Sequence, residues 1–342
     1  MNIQSDLFQA ELRDIAQLPL PYASFANKTV AVTGAGGLIG RYMLYALDAI
    51  NRAHHLNLRL IALCRNPERT MRRVSGIENL TYMQYDARLP LNADLTADYI
   101  LHAASNAHPI AFSGDPVGTM QANVLGTMNL LEAARRCNAR FLMCSTGEIY
   151  GENPTIDAFS ETDFGMVNPM NPRSCYPEGK RAAETLCACY AAQYGVHAMA
   201  ARITYTYGPT ITDESSRADA QFLRRAMAGE DIVLKSSGSQ VRSYCYAADT
   251  ISALITLLLV GEANQAYNVA NPDCSVSIRE YAETLARIAG VRVIFELPPD
   301  QERAGYSKVN RAVLNAEKLM RHGWKPKYDL ATGLAHTIEI CK

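Results

Sequence analysis

Tyr176 and Lys180 stand four residues apart in the stretch RSCYPEGKR. On a helix that spacing puts both side chains on one face. An ammonium beside a phenol stabilises the phenolate and lowers its pKa from about 10. Such a tyrosine can take the proton of a sugar or alcohol hydroxyl while a hydride leaves the same carbon. Taken alone, a Tyr-x3-Lys pair is more often a helix surface feature. It gains weight from Thr146, which ends the apolar run RFLMCST, where a parallel sheet carries its active-site edge. A hydroxyl there would share the substrate oxygen with Tyr176.

These side chains need a frame. From Lys28 the chain reads KTVAVTGAGGLIG and then RYMLYALDAI: an apolar β-branched run, a glycine turn, and a helical repeat. Gly34, Gly37 and Gly40 form TGxxGxxG, and Gly36 adds a GxG. Glycines between a strand and a helix allow a tight turn and close backbone approach to a pyrophosphate, which the helix N-terminus then faces. Further apolar runs at Leu58–Cys64, Leu80–Asp86, Asp98–Ser105, Arg140–Thr146, Val196–Thr204 and Gln265–Ala270 read as strands. Between two of them Met120, Val124, Met128 and Leu131 recur at helical spacing. Alternating apolar strands and helices predict an α/β fold, a Rossmann-like doubly wound parallel sheet covered on both faces. The expected division is an extension at 1–27, a dinucleotide-binding domain at 28–205 and 241–274, and a smaller α/β substrate lobe at 206–240 and 275–342. In the last piece a helix ending at Gly290, a strand-like VRVIFEL, a polar loop, a helix at 315–322 and a tail are expected.

The second strand ends ALCRN, without the acidic residue that accepts from the ribose hydroxyls of NAD. Arg65 stands there and suits the extra phosphate of NADP. The expected cofactor is therefore NAD or NADP, with the arginine leaning to NADP. Asp86, closing the third strand, is placed to accept from an adenine amino group.

Composition excludes several alternatives. The 342 residues carry 33 basic and 34 acidic side chains, a net charge of -1, and no basic patch of the kind that nucleic acid requires. The one basic run, RNPERTMRR, reads first as a solvated helix face and second as a phosphate contact. Nine scattered cysteines lack metal-ligand spacing, so no metal site is expected and a reducing, cytoplasmic setting is. The longest apolar run, ISALITLLLV, is too short to span a bilayer.

Taken together, TGAGGLIG, HAAS, NVLGTMNLLEAA, STGEIYG, YPEGK, ARITYTYGP and RSYCYAADT resemble the extended short-chain dehydrogenase/reductases that modify nucleotide sugars. The resemblance covers nearly the whole chain from Lys28. It implies a tightly bound, recycled NAD or NADP held by Gly34, Gly36, Gly37, Leu38, Ile39, Gly40, Arg65, Asp86, Ala103, Ala104, Tyr176 and Lys180. It also implies a Thr146–Tyr176–Lys180 catalytic set, a nucleotide-sugar substrate, and a homodimer through helices near 119–136 and 177–194. Within the family, RSCYPEGKRAAETL and GSQVRSYCYAADT are most similar to UDP-glucuronate decarboxylases. That likeness adds Glu148 and Arg242 as catalytic candidates, and Ser105, Tyr205, Arg217 and Arg242 as substrate contacts.

Glu148 matters because of the chemistry that oxidation at the sugar C4 opens. With a carboxylate at C6 the product is a β-keto acid that loses CO2. With a hydroxyl at C6, the acidified C5 proton opens the way to loss of water. Both need an acid/base near C5. The expectation is a lyase, a UDP-glucuronate decarboxylase or an NDP-sugar 4,6-dehydratase; the alternatives are a 4-epimerase, a non-catalytic NADP sensor, and a reductase that releases its cofactor. Three positions depart from the pattern. Gly147 replaces a serine, Tyr205 an asparagine, and the late loop RAGYSKVNRAVLN lacks an Arg-x-Pro-Asp element, leaving Arg303, Lys308 and Arg311 as substitutes.

Overall fold

The computed structural model describes residues 1–91, 94–296 and 310–342. The chain opens with helix α1 (Asp6–Ala16) and then alternates strand and helix. In order come β1 (Thr29–Thr33), α2 (Leu38–His54), β2 (Arg59–Cys64), α3 (Pro67–Arg73), β3 (Leu80–Gln84), β4 (Tyr99–His102), α4 (Pro109–Gly114) and α5 (Pro116–Cys137). They continue with β5 (Arg140–Thr146), α6 (Cys175–Tyr194), β6 (Ala198–Ile203), β7 (Tyr205–Tyr207), α7 (Ala218–Met227), β8 (Ile232–Leu234) and β9 (Val241–Tyr246). The last elements are α8 (Ala247–Val260), β10 (Gln265–Val269), β11 (Ser275–Ser277), α9 (Ile278–Ala289), β12 (Val293–Phe295), β13 (Arg311–Ala312), α10 (Glu317–Met320) and α11 (Leu330–Cys341).

Seven strands form one parallel sheet in the order β10-β6-β5-β4-β1-β2-β3. β1 and β4 are buried along their whole length, which is why their sequences run apolar without alternation. The strand order reverses between β1 and β4, so ligands are expected at the carboxyl ends of those strands. α8 packs beneath the sheet with all but its last residue buried. No helix among the described residues is long and apolar enough to cross a membrane.

A second, smaller sheet centres on β9, which pairs antiparallel with β11 and parallel with β7 and β13. A further pair joins β8 and β12. Val241–Tyr246 thus lies in the small sheet rather than with the large one, as a division at 240/241 implied; α8 and β10, which follow it, return to the large sheet.

Both chain ends are structured. The tail expected after residue 322 forms α11, capped by Asp329 accepting from the Thr332 amide at 2.7 Å, and it buries Leu334, Ile338 and Ile340. α1 buries Phe8, Leu12 and Ile15 against α2 and α8. Its Glu11 carboxylate is 1% exposed, and such a group must find partners. It accepts from the Tyr42 hydroxyl (2.6 Å) and the Tyr246 hydroxyl (2.8 Å), with His336 Nδ1 at 2.7 Å. The N-terminal helix is therefore bolted to α2, β9 and α11 at one point.

Candidate active site

The glycine turn has the geometry that the sequence demands. Gly34 lies at φ 65, and a Cβ there would sit 2.8 Å from the Ala103 carbonyl oxygen. A Cβ on Gly40 would run into the Gly34 carbonyl. Gly37 begins α2 without a side-chain cap, leaving the first-turn amides of a 17-residue helix to face outward. Leu38 and Ile39 form that turn. Thr33 Oγ1 ties the two central strands together, accepting from the Ala103 and Ala104 amides at 3.0 Å each and meeting His102 Nδ1 at 2.9 Å. Burial pushes His102 down to about 3, so the ring stays neutral and can accept from the Thr33 hydroxyl. This cradle, built largely of backbone, fits a dinucleotide.

Arg65 stands exposed at the end of β2. The α3 face is largely exposed, as the sequence suggests, and two of its arginines also find a carboxylate partner. Arg69 and Arg73 both pair with Glu214, and Arg73 reaches the Gly36 carbonyl at 3.4 Å. Glu214 belongs to a segment that also bonds Leu38 through Thr210 (2.8 Å) and His108 through Ser216 (2.9 Å). Residues 210–216 thus strap the β1 side of the cleft to the β4 side. The Asp86 carboxylate accepts from Arg88, with Nη2 at 2.6 Å, and the arginine holds it below the usual carboxylate range.

At the other end of the cleft, β5 delivers Thr146, whose Oγ1 accepts from the Glu148 amide at 3.2 Å. Arg181 and Arg202 anchor the short turn that carries Glu148, by bonds to the Ile149 carbonyl (2.7 Å) and the Tyr150 hydroxyl (2.9 Å). Arg202 is itself locked in a buried ion pair with Glu184 at 2.8 Å. Tyr176 and Lys180 sit in the first turns of α6, both buried. Lys180 Nζ donates to the Cys144 carbonyl at 2.7 Å, and burial lowers its pKa to about 8. Tyr176 differs from the sequence expectation. Burial and then the Glu148 charge push the phenol up, while a hydrogen bond with Thr146 and the Arg217 charge pull it back. In this protein environment desolvation outweighs the Thr146 hydrogen bond and the Arg217 charge, and Lys180 is turned to the Cys144 carbonyl.

Ser105 donates to Asn123 at 2.9 Å. Arg217 donates to the Thr206 carbonyl (2.5 Å) and Asp219 (2.8 Å), and its buried Nε has no partner among the described residues. Tyr205 lies with its ring 5.9 Å from the Arg242 guanidinium; burial and then Glu148 raise its pKa. Arg242 is 4% exposed and donates to the Val241 carbonyl at 2.8 Å and Gln240 Oε1 at 3.1 Å. Arg311 bonds the Asp157 carbonyl at 2.7 Å, whereas Arg303 and Lys308 lie outside the described residues. No cluster of His, Cys, Asp or Glu among the described residues could hold a metal ion.

Thr146, Glu148, Tyr176, Tyr205 and Arg217 thus share one end of the cleft. Four neighbours are given no role by the sequence alone. Arg173, three residues before Tyr176, pairs with Glu148 at 2.7 Å and lies 5.0 Å over the Phe112 ring. Phe112 stacks on Tyr176 at 5.4 Å and 15°. Leu314 packs against Gly147, and Glu214 holds the strap. Arg173 is legible as part of RSCY; the other three have no local signal.

A sequence profile of the NAD-dependent epimerase/dehydratase family matches residues 30–270. UDP-glucuronic acid decarboxylase 6 of Arabidopsis thaliana is 33% identical over 323 residues, which span 92% of this chain and 90% of the relative. UDP-glucuronic acid decarboxylase 1 of Xenopus tropicalis is 32% identical over 91% of this chain and 72% of its own. Among solved structures, the dTDP-glucose 4,6-dehydratase of Streptomyces venezuelae with NAD bound superposes with a TM-score of 0.78 at 23% identity, covering 91% of this chain and 96% of its own. That last likeness is one of fold.

Proposed function

The chain belongs to the NAD-dependent epimerase/dehydratase family, and on that premise we propose that it is a nucleotide-sugar lyase that removes CO2 from UDP-glucuronate through a transient ketone at the sugar C4. The observation that carries this reading is Glu148, a carboxylate set beside Thr146 and Tyr176 by the turn that closes β5. An epimerase that only oxidises and reduces C4 has no work for it. The names of the two decarboxylase relatives support the same branch.

In this reading the glycine turn of Gly34, Gly37 and Gly40 would hold NAD, which would supply the acceptor for the C4 hydride and its later return. Tyr176 takes the C4 hydroxyl proton, with Thr146 sharing that oxygen. The hydrogen bond with Thr146 and the Arg217 charge oppose the burial that raises the phenol, and a cationic cofactor bound beside it would add to them. The C5–C6 bond of the resulting β-keto acid then breaks, its electron pair moves toward the C4 oxygen, and CO2 leaves. Glu148, protonated from solvent, gives C5 one proton, and Tyr176 returns its own to the C4 oxygen. Arg217 and Ser105 are assigned to the nucleotide diphosphate and sugar. Arg242, deeply buried, acts from behind Tyr205. For the cofactor, Arg65 alone does not outweigh the NAD dependence of the family. We also assign a homodimer through α5 and α6, which pack on each other and leave Leu125, Met128 and Tyr194 exposed. Nine free thiols fit a reducing, cytoplasmic setting.

The test is to incubate the purified protein with UDP-glucuronate, dTDP-glucose and GDP-mannose and read the products by mass spectrometry. Loss of CO2 from UDP-glucuronate is expected. Loss of water from dTDP-glucose instead would make it a dehydratase, and unchanged mass with an altered C4 configuration an epimerase. Glu148→Gln is expected to keep C4 oxidation and stall CO2 release; full turnover in that variant would remove Glu148 from the mechanism.

A further inference from the structure

Three arginines lie around the sugar end of the cleft, and they are not equivalent. Arg242 is 4% exposed, and its guanidinium is spent partly on the carbonyls of Val241 and Asn310. Arg217 is turned to Thr206 and Asp219. Arg173 has a side chain 45% exposed, and its contact with a carboxylate, Glu148, runs through a single nitrogen, Nη1. A guanidinium presents five N–H groups in a flat fork, suited to holding a carboxylate by two parallel bonds.

Its surroundings make it a fixed fork. The Arg173 backbone amide donates to the Asn171 side chain at 3.1 Å, and the adjoining Ser174 hydroxyl is tied to the Asn168 carbonyl at 2.6 Å. The guanidinium rests 5.0 Å from the centre of the Phe112 ring, and that ring, 2% exposed, also stacks on Tyr176. One aromatic plate therefore sets the position of both the phenol that works at C4 and the guanidinium. In the sugar, C6 is separated from C4 only by C5. A group that reads C6 must be a close neighbour of Tyr176, and it must be near Glu148, which serves C5.

We propose that Arg173 takes the C6 carboxylate of the substrate, in exchange for Glu148, and so selects an acidic sugar over a neutral one. This rests on the decarboxylase reading above. An incoming carboxylate competes for the fork on equal charge and adds a second bond; the neutral CH2OH of a hexose cannot displace Glu148. The exchange also frees Glu148 to turn to C5 only when a carboxylate is present to be lost.

The experiment measures binding by calorimetry in a Tyr176→Phe background loaded with NAD, so that turnover does not confuse it. UDP, UDP-glucose and UDP-glucuronate are the three probes. Adding Arg173→Gln is expected to weaken UDP-glucuronate by about 10- to 100-fold, the range for a charge-assisted pair, and to leave UDP and UDP-glucose within about 2-fold. Arg173→Lys should recover part of the loss, because it keeps the charge and loses the fork. Equal weakening of all three probes would make Arg173 a structural residue and overturn the proposal, as would unchanged UDP-glucuronate affinity. CO2 release by the unmutated enzyme is scored separately. If it occurs while Arg173→Gln has no selective effect, the inference alone fails; if it does not occur, the decarboxylase reading fails with it.

Discussion

The two ends of the cleft are built from different materials. The dinucleotide end is made of backbone: a glycine turn, the uncapped start of α2, and strands joined through Thr33. Its cradle is lined by main-chain amides and small side chains. The sugar end is made of side chains brought from six places in the chain, namely Thr146 and Glu148, Arg173 and Tyr176, Tyr205, Arg217, Arg242, and Leu314 behind Gly147. Its order comes from ion pairs and ring contacts. Backbone geometry tolerates no substitution but is indifferent to chemistry. Side-chain geometry is easily exchanged, and each exchange changes what the site accepts. This division lets one hydride-transfer frame serve sugars with different fates.

The largest effect should come where both ends meet. Tyr176→Phe removes the hydroxyl proposed to take the C4 proton and should lower kcat by roughly 10^2- to 10^4-fold. Because the ring and its Phe112 stack remain, the variant should keep its melting temperature and its affinity for UDP. Activity within tenfold of the original would mean that the proton goes elsewhere. Next comes a change confined to the dinucleotide end. Gly34→Ala must adopt a φ of 65, at about 1–2 kcal/mol for an L side chain, and must also push its Cβ away from the Ala103 carbonyl. Purified protein should carry NAD at well under half occupancy, read from the absorbance released on denaturation, while UDP affinity stays near the original. If UDP binding falls as far as NAD occupancy, the two ends are not separable.

The same division explains what can be read in the sequence. The glycine turn, the alternation of strands and helices around it and the pairing of Tyr176 with Lys180 depend on local spacing, and each is visible in short stretches. Glu148 and Arg242 are legible only through likeness to a family. Arg173 lies in RSCY but gains meaning only from Glu148, 25 positions away. The Glu214 strap crosses 141 positions to Arg73, and Glu11 crosses 235 to Tyr246; no periodicity announces such contacts. The sequence of α11 reads as a tail because Gly333 interrupts its apolar repeat. That glycine is needed for packing, since a Cβ there would collide with the Tyr207 hydroxyl. The Tyr176 phenol shifts opposite to the sense that its spacing from Lys180 suggests, for a related reason. Spacing shows which charges are near, whereas burial is a property of the whole fold.

The smallest effect tests whether the departures at the sugar end form one adjustment. A Cβ on Gly147 would lie 3.2 Å from Leu314 Cδ1 and 3.3 Å from Cδ2, tighter than ordinary van der Waals contact. Leu314 is 4% exposed, and its amide is held by Ser243 at 3.1 Å, so the side chain has little room to retreat. The leucine therefore occupies the space into which a serine at 147 would project, and the glycine and the altered late segment belong together. Gly147→Ser alone should cost about 1 kcal/mol of stability through this overlap. Leu314→Ala alone leaves a cavity and should cost about 2–5 kcal/mol. If the two positions compensate, the double variant is less destabilised than the sum by at least about 0.5 kcal/mol in a denaturant-unfolding cycle. Strict additivity would show that Leu314 does not hold Gly147 in place. The missing serine would then be a change at the sugar end alone, made without reference to the segment that packs behind it.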